Sequence, residues 1–197
     1  VIADMLKCDL SLVLNGLPKY LNLRSVSQAA YLQALLDPRN QLILGLGPTG
    51  TGKTYLAIVA ALNQLADDRV QRIVLTRPHV VEEGEVVTAA TRQERGSDGQ
   101  LEFFDDILLE LLGHDRVARL KQDLKLEIIP LGRLRGRTLN NAFVIMDEAQ
   151  NTSVSKMRMA VTRIGTGTRM VLNGDPSHVE LLGGEQSGLA DLVNLLK

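Results

Sequence analysis

Short apolar runs alternate along the chain with longer segments in which apolar residues recur at helical spacing. The apolar runs predict buried β-strands at residues 42–46, 72–76, 126–129, 143–146 and 170–172. The helical spacing predicts α-helices from Ser27 to the Asp37-Pro38 pair and at residues 54–66, 101–112, 154–164 and 189–196. Strands that alternate with helices indicate an α/β fold, with a mainly parallel sheet and helices on both of its faces.

Two segments fall outside this alternation. Residues 1–24 are weakly patterned and predict an N-terminal arm or the remnant of a preceding domain. The first residue is Val rather than Met, which predicts a trimmed or incomplete start. Residues 82–100 are polar and contain three glycines, which predicts a mobile loop. Residues 25–197 are predicted to form one domain.

Composition narrows the functional classes. Of the 197 residues, 45% are hydrophobic and 23% are charged, a balance that allows a sizeable core and excludes disorder as the main state. Only 3% are aromatic and none is Trp, which argues against an aromatic platform for stacking bases. Lys and Arg total 22 against 23 Asp and Glu, so the net charge of −1 leaves only local patches to attract nucleic acid.

The compartment is predicted from one cysteine and from the apolar runs. Cys8 is the sole cysteine, which excludes a disulfide framework and favours a reducing compartment. The apolar runs are far shorter than the roughly 20 residues that cross a bilayer. Asp4, Lys7 and Asp9 interrupt any signal-peptide core. We therefore expect a cytoplasmic protein that does not contact a membrane.

The clearest chemical signal is a glycine-rich segment between a predicted strand and a predicted helix. It fits the pattern G-x-x-x-x-G-K-[ST] at every fixed position, with Gly47, Pro48, Thr49, Gly50, Thr51, Gly52, Lys53 and Thr54. The glycines let successive backbone N–H groups turn inward, where they and the positive end of the next helix bind phosphate. Lys53 is expected to reach the β- and γ-phosphate oxygens, and the Thr54 hydroxyl is expected to ligate Mg²⁺.

A second signal is the acidic pair that follows the strand at 143–146. Asp147 comes at the carboxyl end of that strand, beside the predicted phosphate loop, where its carboxylate can hold Mg²⁺ through water. Glu148 follows directly and can polarise the attacking water. The alternative is a solvated acidic turn at the end of a strand. Adjacent Asp and Glu favour a hydrolase over a kinase, and the chain lacks the Asn-Lys-x-Asp motif with which GTPases read guanine.

Asn173 and Asp175 form a third polar group at the same predicted edge of the sheet. They follow the strand predicted at 170–172, so both are expected at the carboxyl ends of the strands. A polar side chain there can sense whether the γ-phosphate is present. The alternative is an ordinary Gly-Asp turn.

With these motifs in place, the chain resembles the PhoH family of P-loop ATPases, relatives of the superfamily-one helicase core. The resemblance covers about residues 25–197 and rests on several short motifs in one order. They are the phosphate loop, Thr76-Arg77-Pro78, Arg135-Gly136-Arg137-Thr138-Leu139-Asn140, Asp147-Glu148-Ala149-Gln150-Asn151, Thr162-Arg163-Ile164-Gly165, Gly174-Asp175-Pro176 and Ser187-Gly188-Leu189. It implies a RecA-like P-loop NTPase fold, ATP with Mg²⁺, a link to RNA or DNA, and ring-like self-assembly.

The resemblance also implies a residue that recognises the adenine base, and it shows two differences between this chain and the family pattern. Members of the helicase-like group read adenine with a Gln upstream of the phosphate loop, and Gln28 stands in that place; the alternative is a solvated Gln at a helix start. The family usually has Gln three residues after Asp175, where this chain has His178. The family's Gly-Phe-Leu-Pro-Gly-Asp loop is replaced by residues 88–93, which puts a partner contact of that loop in doubt.

The expected function is Mg²⁺-dependent ATP hydrolysis coupled to RNA or DNA remodelling. The alternative is an ATP-dependent regulatory or assembly module that switches a protein partner without acting on nucleic acid. The chain has room for one RecA-like domain, so the arginine that stabilises the transition state must come from outside it. We therefore predict a homo-oligomer, closed into a ring, with nucleotide at the subunit interface. Arg137, Arg163 and Arg135 are the candidate donors, with Arg137 first; Arg135 and Arg137 could instead contact nucleic acid or only solvent.

Overall fold

The computed structural model describes residues 21, 23–79, 98–181 and 184–196. The six helices of this part are α1 (Val26–Leu36), α2 (Lys53–Ala66), α3 (Asp98–Leu112), α4 (His114–Gln122), α5 (Val154–Val161) and α6 (Gly188–Leu195). The strands are β1 (Leu42–Leu46), β2 (Arg72–Thr76), β3 (Leu126–Ile128), β4 (Ala142–Met146) and β5 (Arg169–Gly174). Two short 3-10 helices lie at Leu131–Leu134 and Ala149–Asn151. The predicted arm at 1–24 lies almost wholly outside the described residues.

The five strands form one sheet in the order β1-β5-β4-β2-β3, and every neighbouring pair is parallel. The predicted α/β fold with a parallel sheet is therefore confirmed. Parallel pairing brings the carboxyl ends of all the strands to one edge of the sheet. The register sets Thr76 opposite Met146 and Gly45 opposite Asn173, so the residues that follow β1, β2, β4 and β5 meet at that edge.

Each face of the sheet carries its own apolar core. On one face, α1, α2, α3 and α4 pack together, and α2 buries a continuous run from Leu56 to Leu65. On the other face, α5, α6 and the 3-10 helix at Leu131–Leu134 pack against β4 and β5. Met157 of α5 is buried there, whereas Met159 is half-buried. Helices on both faces are thus confirmed as well.

The structure adds one helix to those predicted and shifts several element boundaries. Helix α4 was not predicted because six of its nine residues are polar and it buries Val117 alone. Helix α3 begins at Asp98, so the last residues of the loop predicted at 82–100 are helical; residues 80–97 lie outside the described ones. Strand β5 continues to Gly174, so Asn173 lies within the strand rather than after it. β5 extends beyond its apolar run because Asn173 and Gly174 pair with Gly45 and Leu46 of β1.

A buried arginine holds α1 beside the sheet. Arg169, at the start of β5, donates through Nε to the Asn40 carbonyl at 2.9 Å and through Nη2 to the Asp37 carbonyl at 2.7 Å. Its guanidinium also lies over the Phe143 ring, 5.6 Å from the centroid. These bonds add charged donors to carbonyls at and after the carboxyl end of α1, where the helix leaves carbonyls without intrahelical partners. They fix the helix that carries Gln28 next to β1.

Candidate functional site

The phosphate loop lies between β1 and α2, as predicted. Gly50 and Gly52 have φ angles of 79° and 82°, in the left-handed region that glycine adopts without strain. Gly52 is also the first flanking residue of α2, so the loop leads directly into the positive end of that helix. The Lys53 ammonium donates to the carbonyls of Gly47 at 2.7 Å and Pro48 at 2.8 Å. The lysine charge therefore lies across the curve of the loop, where phosphate oxygens are bound in proteins with this motif.

The acidic strand end meets the phosphate loop through one hydrogen bond. The Thr54 hydroxyl donates to Asp147 Oδ1 at 2.6 Å. Asp147 is only 5% exposed, so it is not part of a solvated turn. Its burial raises the pKa of its carboxyl group, while the bond from Thr54 and the charges of Arg77 and Lys53 act in the opposite direction. A buried carboxylate beside a hydroxyl is a hard-oxygen donor set that fits Mg²⁺.

Glu148 has different partners from its neighbour. Its backbone is left-handed, with φ at 50°, and turns the chain from β4 into the short 3-10 helix. Gln150 Nε2 donates to Glu148 Oε2 at 2.6 Å, and Arg77 Nη2 lies 3.7 Å from Glu148 Oε1. The two consecutive carboxylates are therefore held separately, one by the phosphate loop and the other by an amide and a guanidinium.

Gln150 joins Glu148 to the end of β5. Its side chain is 1% exposed, and its Oε1 accepts a 3.1 Å hydrogen bond from the Asp175 backbone N–H. Arg77, the other partner of Glu148, also lies over the Phe103 ring of α3 at 5.9 Å from the centroid. Neither Gln150 nor Arg77 was assigned a role from the sequence. The signal that could have found them is their position, since each follows the carboxyl end of a buried strand.

Asn173 and Asp175 lie at the carboxyl edge as predicted, and both already have partners. Tyr31 of α1 donates its hydroxyl to Asn173 Oδ1 at 2.5 Å, while Asn173 Nδ2 is buried without a hydrogen-bond partner among the described residues. The Asp175 carboxylate accepts bonds from the backbone and hydroxyl of Ser177, which lower its pKa. Sensing of the γ-phosphate by these residues stays a prediction. The exposed His178 donates its backbone N–H to the Asp175 carbonyl.

A cavity of about 520 Å³ adjoins the phosphate loop on the α1 side. Gln28 and Tyr31 of α1, Lys53 and the end of β1 line it. Gln28 Nε2 donates to the Thr51 carbonyl at 3.1 Å, and its Oε1 accepts from the Arg24 N–H at 2.6 Å. Gln28 thus lies half-buried in the first turn of α1, with its amide bonded to the phosphate loop. Adenine recognition by this amide remains a prediction, and it requires at least one of these two backbone bonds to be exchanged.

The candidate arginines differ in their availability. Arg137 Nη2 lies 2.8 Å from Glu127 Oε2 in an ion pair on β3, and Arg72 pairs with the same carboxylate at 3.3 Å. Arg163 donates to the Met159 carbonyl at 3.2 Å, a bond between a charged and a neutral group. Arg135 is exposed, and its guanidinium has no partner among the described residues. The first rank given to Arg137 stays a prediction, and it requires Arg137 to leave its ion pair with Glu127.

The position of Arg163 also differs from the expected one. The Leu139 N–H donates to the Arg163 carbonyl at 2.9 Å, and residue 139 precedes β4. Arg163 thus lies toward the amino edge of the sheet, away from the phosphate loop, whereas it was expected near the carboxyl edge or its flank. The physical reason is that α5 leaves the carboxyl end of β4 and runs back along the sheet.

Sequence comparison assigns most of the chain to one family. The "PhoH-like protein" family matches residues 20–197. A PhoH-like protein of Bacillus subtilis (strain 168) is 41% identical over 184 residues, which cover 93% of this chain and 57% of the relative. A PhoH-like protein of Mycobacterium tuberculosis (strain ATCC 25618 / H37Rv) is 38% identical, with 99% of this chain and 54% of the relative covered. The chain therefore spans a little over half the length of these relatives.

Structural comparison supports the fold alone. The Sulfolobus solfataricus SWI2/SNF2 ATPase core domain aligns with a TM-score of 0.51 and 15% identity, over 80% of this chain and 32% of that chain. Its identity is too low to transfer a substrate. Among the described helices, none has the length and apolar character needed to cross a membrane.

Proposed function

This chain belongs to the PhoH-like protein family, and on that premise we propose that it binds ATP with Mg²⁺ and hydrolyses it, coupling hydrolysis to RNA or DNA remodelling. The observation that carries the proposal is the 2.6 Å hydrogen bond from Thr54 to Asp147. It unites the two motifs that P-loop ATPases need, the phosphate loop and the acidic strand end, in one site. A cytoplasmic location stays a prediction.

Binding is the work of the loop and of α2. The N–H groups of residues 49–53 and the positive end of α2 bind the phosphates, and Lys53 exchanges its carbonyl partners for β- and γ-oxygens. Thr54 and Asp147 are the residues that would hold Mg²⁺, because both present oxygen at the loop. The ion supplies charge neutralisation on the phosphate oxygens when bound.

Hydrolysis is assigned to Glu148. Its carboxylate orients a water and accepts the water's proton as the oxygen bonds to the γ-phosphorus and the bond from that phosphorus to ADP breaks. Gln150 and Arg77 hold the carboxylate in place from two sides, at 2.6 Å and 3.7 Å. The two consecutive carboxylates thus have different roles: Asp147 would bind the metal and Glu148 activates the water.

The proposal includes self-assembly into a ring with nucleotide at the interface. Such a contact is head-to-tail, since the surface that donates an arginine differs from the surface that binds nucleotide. Arg163 and Arg135 are the more available donors, because Arg163 is held only by neutral acceptors and Arg135 has no partner among the described residues. Arg137 would first have to leave a charge-assisted bond to Glu127.

The experiment that tests the proposal is a steady-state ATPase assay with and without RNA and DNA oligonucleotides. Hydrolysis that depends on Mg²⁺ and on Lys53 supports the ATPase, and stimulation by an oligonucleotide supports the coupling. Hydrolysis without any stimulation favours the regulatory module that acts on a protein partner. No Mg²⁺-dependent hydrolysis at all would overturn the proposal.

A further inference from the structure

A second crevice opens at the carboxyl edge of the sheet, beyond the nucleotide pocket. Its volume is about 470 Å³. Its walls are the segment after β2, with Pro78 and His79, the segment after β3, with Pro130 and Leu131, and one side of α5. These wall residues take no part in the proposed binding of ATP or in the proposed activation of water.

The charge around this crevice is of one sign in the described part of the chain. Arg135 and Lys156 line it, both are exposed, and neither side chain forms an ion pair or hydrogen bond with a described residue. No Asp or Glu is among the described lining residues. The floor is apolar, with Pro78, Leu131 and Met159. Two free cations above an apolar floor favour a ligand that is anionic along one side and weakly polar along the other.

We propose that this crevice binds the sugar–phosphate backbone of a single-stranded nucleic acid. The inference rests on the proposed function and adds the surface on which the strand lies. Phosphates would meet Arg135 and Lys156, and sugars would pack on the proline, leucine and methionine side chains. No Phe, Tyr or Trp lines the described crevice, so the bases have nothing to stack on. Binding is therefore expected to be independent of base sequence.

The location also connects the crevice to the reacting centre. Pro78 follows Arg77 directly in the chain, and Arg77 Nη2 lies 3.7 Å from Glu148 Oε1. A strand that presses on the segment after β2 would shift the guanidinium that holds the catalytic carboxylate. The crevice is thus a place from which nucleic acid can change the rate of hydrolysis without touching ATP.

The test measures affinity for a labelled strand as salt is varied. Fluorescence anisotropy follows binding of a fluorescein-labelled oligouridylate, and separately of an oligothymidylate, to the full chain without nucleotide. The crevice variant carries Arg135→Gln and Lys156→Gln. The control carries Arg119→Gln and Lys125→Gln, two exposed cations without described partners on α4 and before β3. Both variants lose the same charge, and thermal melting verifies that both are folded.

The expected result is specific to the crevice variant. Each phosphate contact on a single strand contributes about 0.7 to the slope of log affinity against log salt, so two lost contacts reduce the slope by about 1.4. Affinity at about 0.1 M salt should then fall by roughly 25-fold relative to the wild type. The control should keep the wild-type slope. RNA and DNA should respond alike, because the contacts are to the backbone.

Two outcomes would overturn the inference. One leaves the proposed function intact, and the other also contradicts its coupling to nucleic acid. If the wild type binds the strand and both variants bind it equally well, the crevice is not the site, and the proposed function stands. If the wild type binds no strand although it hydrolyses ATP, the coupling to nucleic acid fails together with the crevice. Direct binding of fluorescein-labelled polyglutamate to the wild type and to the crevice variant then shows whether an acidic protein segment occupies these cations instead.

Discussion

The Thr54 hydroxyl donates a 2.6 Å hydrogen bond to the carboxylate of Asp147, 93 residues further along the chain. This bond closes the site, because it holds the residue after the loop lysine against the end of β4. It also predicts that two substitutions of Thr54 will have different effects on Mg²⁺-dependent hydrolysis. Thr54→Ser keeps the hydroxyl and should retain Mg²⁺-dependent hydrolysis within a few-fold.

Thr54→Val removes the hydroxyl at nearly equal volume and leaves the buried carboxylate without its donor. We expect hydrolysis to fall by about 10²-fold and the Mg²⁺ concentration for half-maximal rate to rise, as expected for a lost metal-site ligand or its support. Mg²⁺ titrations of the two variants make the comparison. Equal rates for Val and Ser at every Mg²⁺ concentration would remove Thr54 from the metal site.

Gln150 is predicted to act by positioning Glu148. Gln150→Leu deprives Glu148 Oε2 of a 2.6 Å donor and leaves the Asp175 N–H without its acceptor. A misplaced catalytic group lowers turnover by about 10- to 10²-fold. ATP affinity should stay close to that of the wild type, because Gln150 does not touch the phosphate loop. Separate measurement of kcat and of ATP binding decides the matter. A parallel loss of both would make Gln150 a purely structural residue.

The base contact is tested by comparing two nucleotides. Gln28→Ala removes the 3.1 Å bond to the Thr51 carbonyl, and this effect on the loop weakens ATP and GTP equally. Any adenine contact adds a loss for ATP alone, worth about threefold to tenfold for one neutral hydrogen bond. Gln33→Ala, an exposed glutamine on the same helix, is the control. Equal losses of affinity for ATP and GTP would show that Gln28 supports the phosphate loop and does not contact adenine.

Subunit mixing tests the proposed interface. Specific activity should rise with protein concentration, since the site is completed by a neighbour. Lys53→Ala and Arg163→Ala subunits should each be inactive alone and should recover part of the activity when mixed, because some interfaces then combine an intact loop with an intact arginine. The same experiment with Arg137→Ala serves as the comparison. Full activity from a particle that light scattering shows to be monomeric would refute the interface.

The candidate site could be predicted from the sequence because its residues lie in contiguous motifs. The phosphate loop and the Asp147-Glu148 pair each follow a short apolar run, and a parallel sheet must bring such positions to one edge. Strands β1 and β2 begin and end at the predicted residues for the same reason, since their apolar runs are sharply bounded.

The remaining features depend on contacts between distant segments. Arg137 pairs with Glu127 because the segment before β4 lies beside β3. No local sequence pattern predicts this proximity. The ion pair of Glu148 with Arg77 depends on the pairing of β2 with β4. Helix α4 was not predicted because it is short and mostly polar, and its narrow apolar face buries only Val117.

The central claim is that this site hydrolyses ATP with Lys53 on the phosphates and Glu148 on the water. The most direct measurement is phosphate release from ATP by the wild type, Lys53→Ala and Glu148→Gln, with ATP affinity determined in parallel. We predict that Lys53→Ala loses both tight binding and turnover. Glu148→Gln should bind ATP like the wild type and release phosphate at least about 10²-fold more slowly. Near wild-type hydrolysis by either variant would contradict the account.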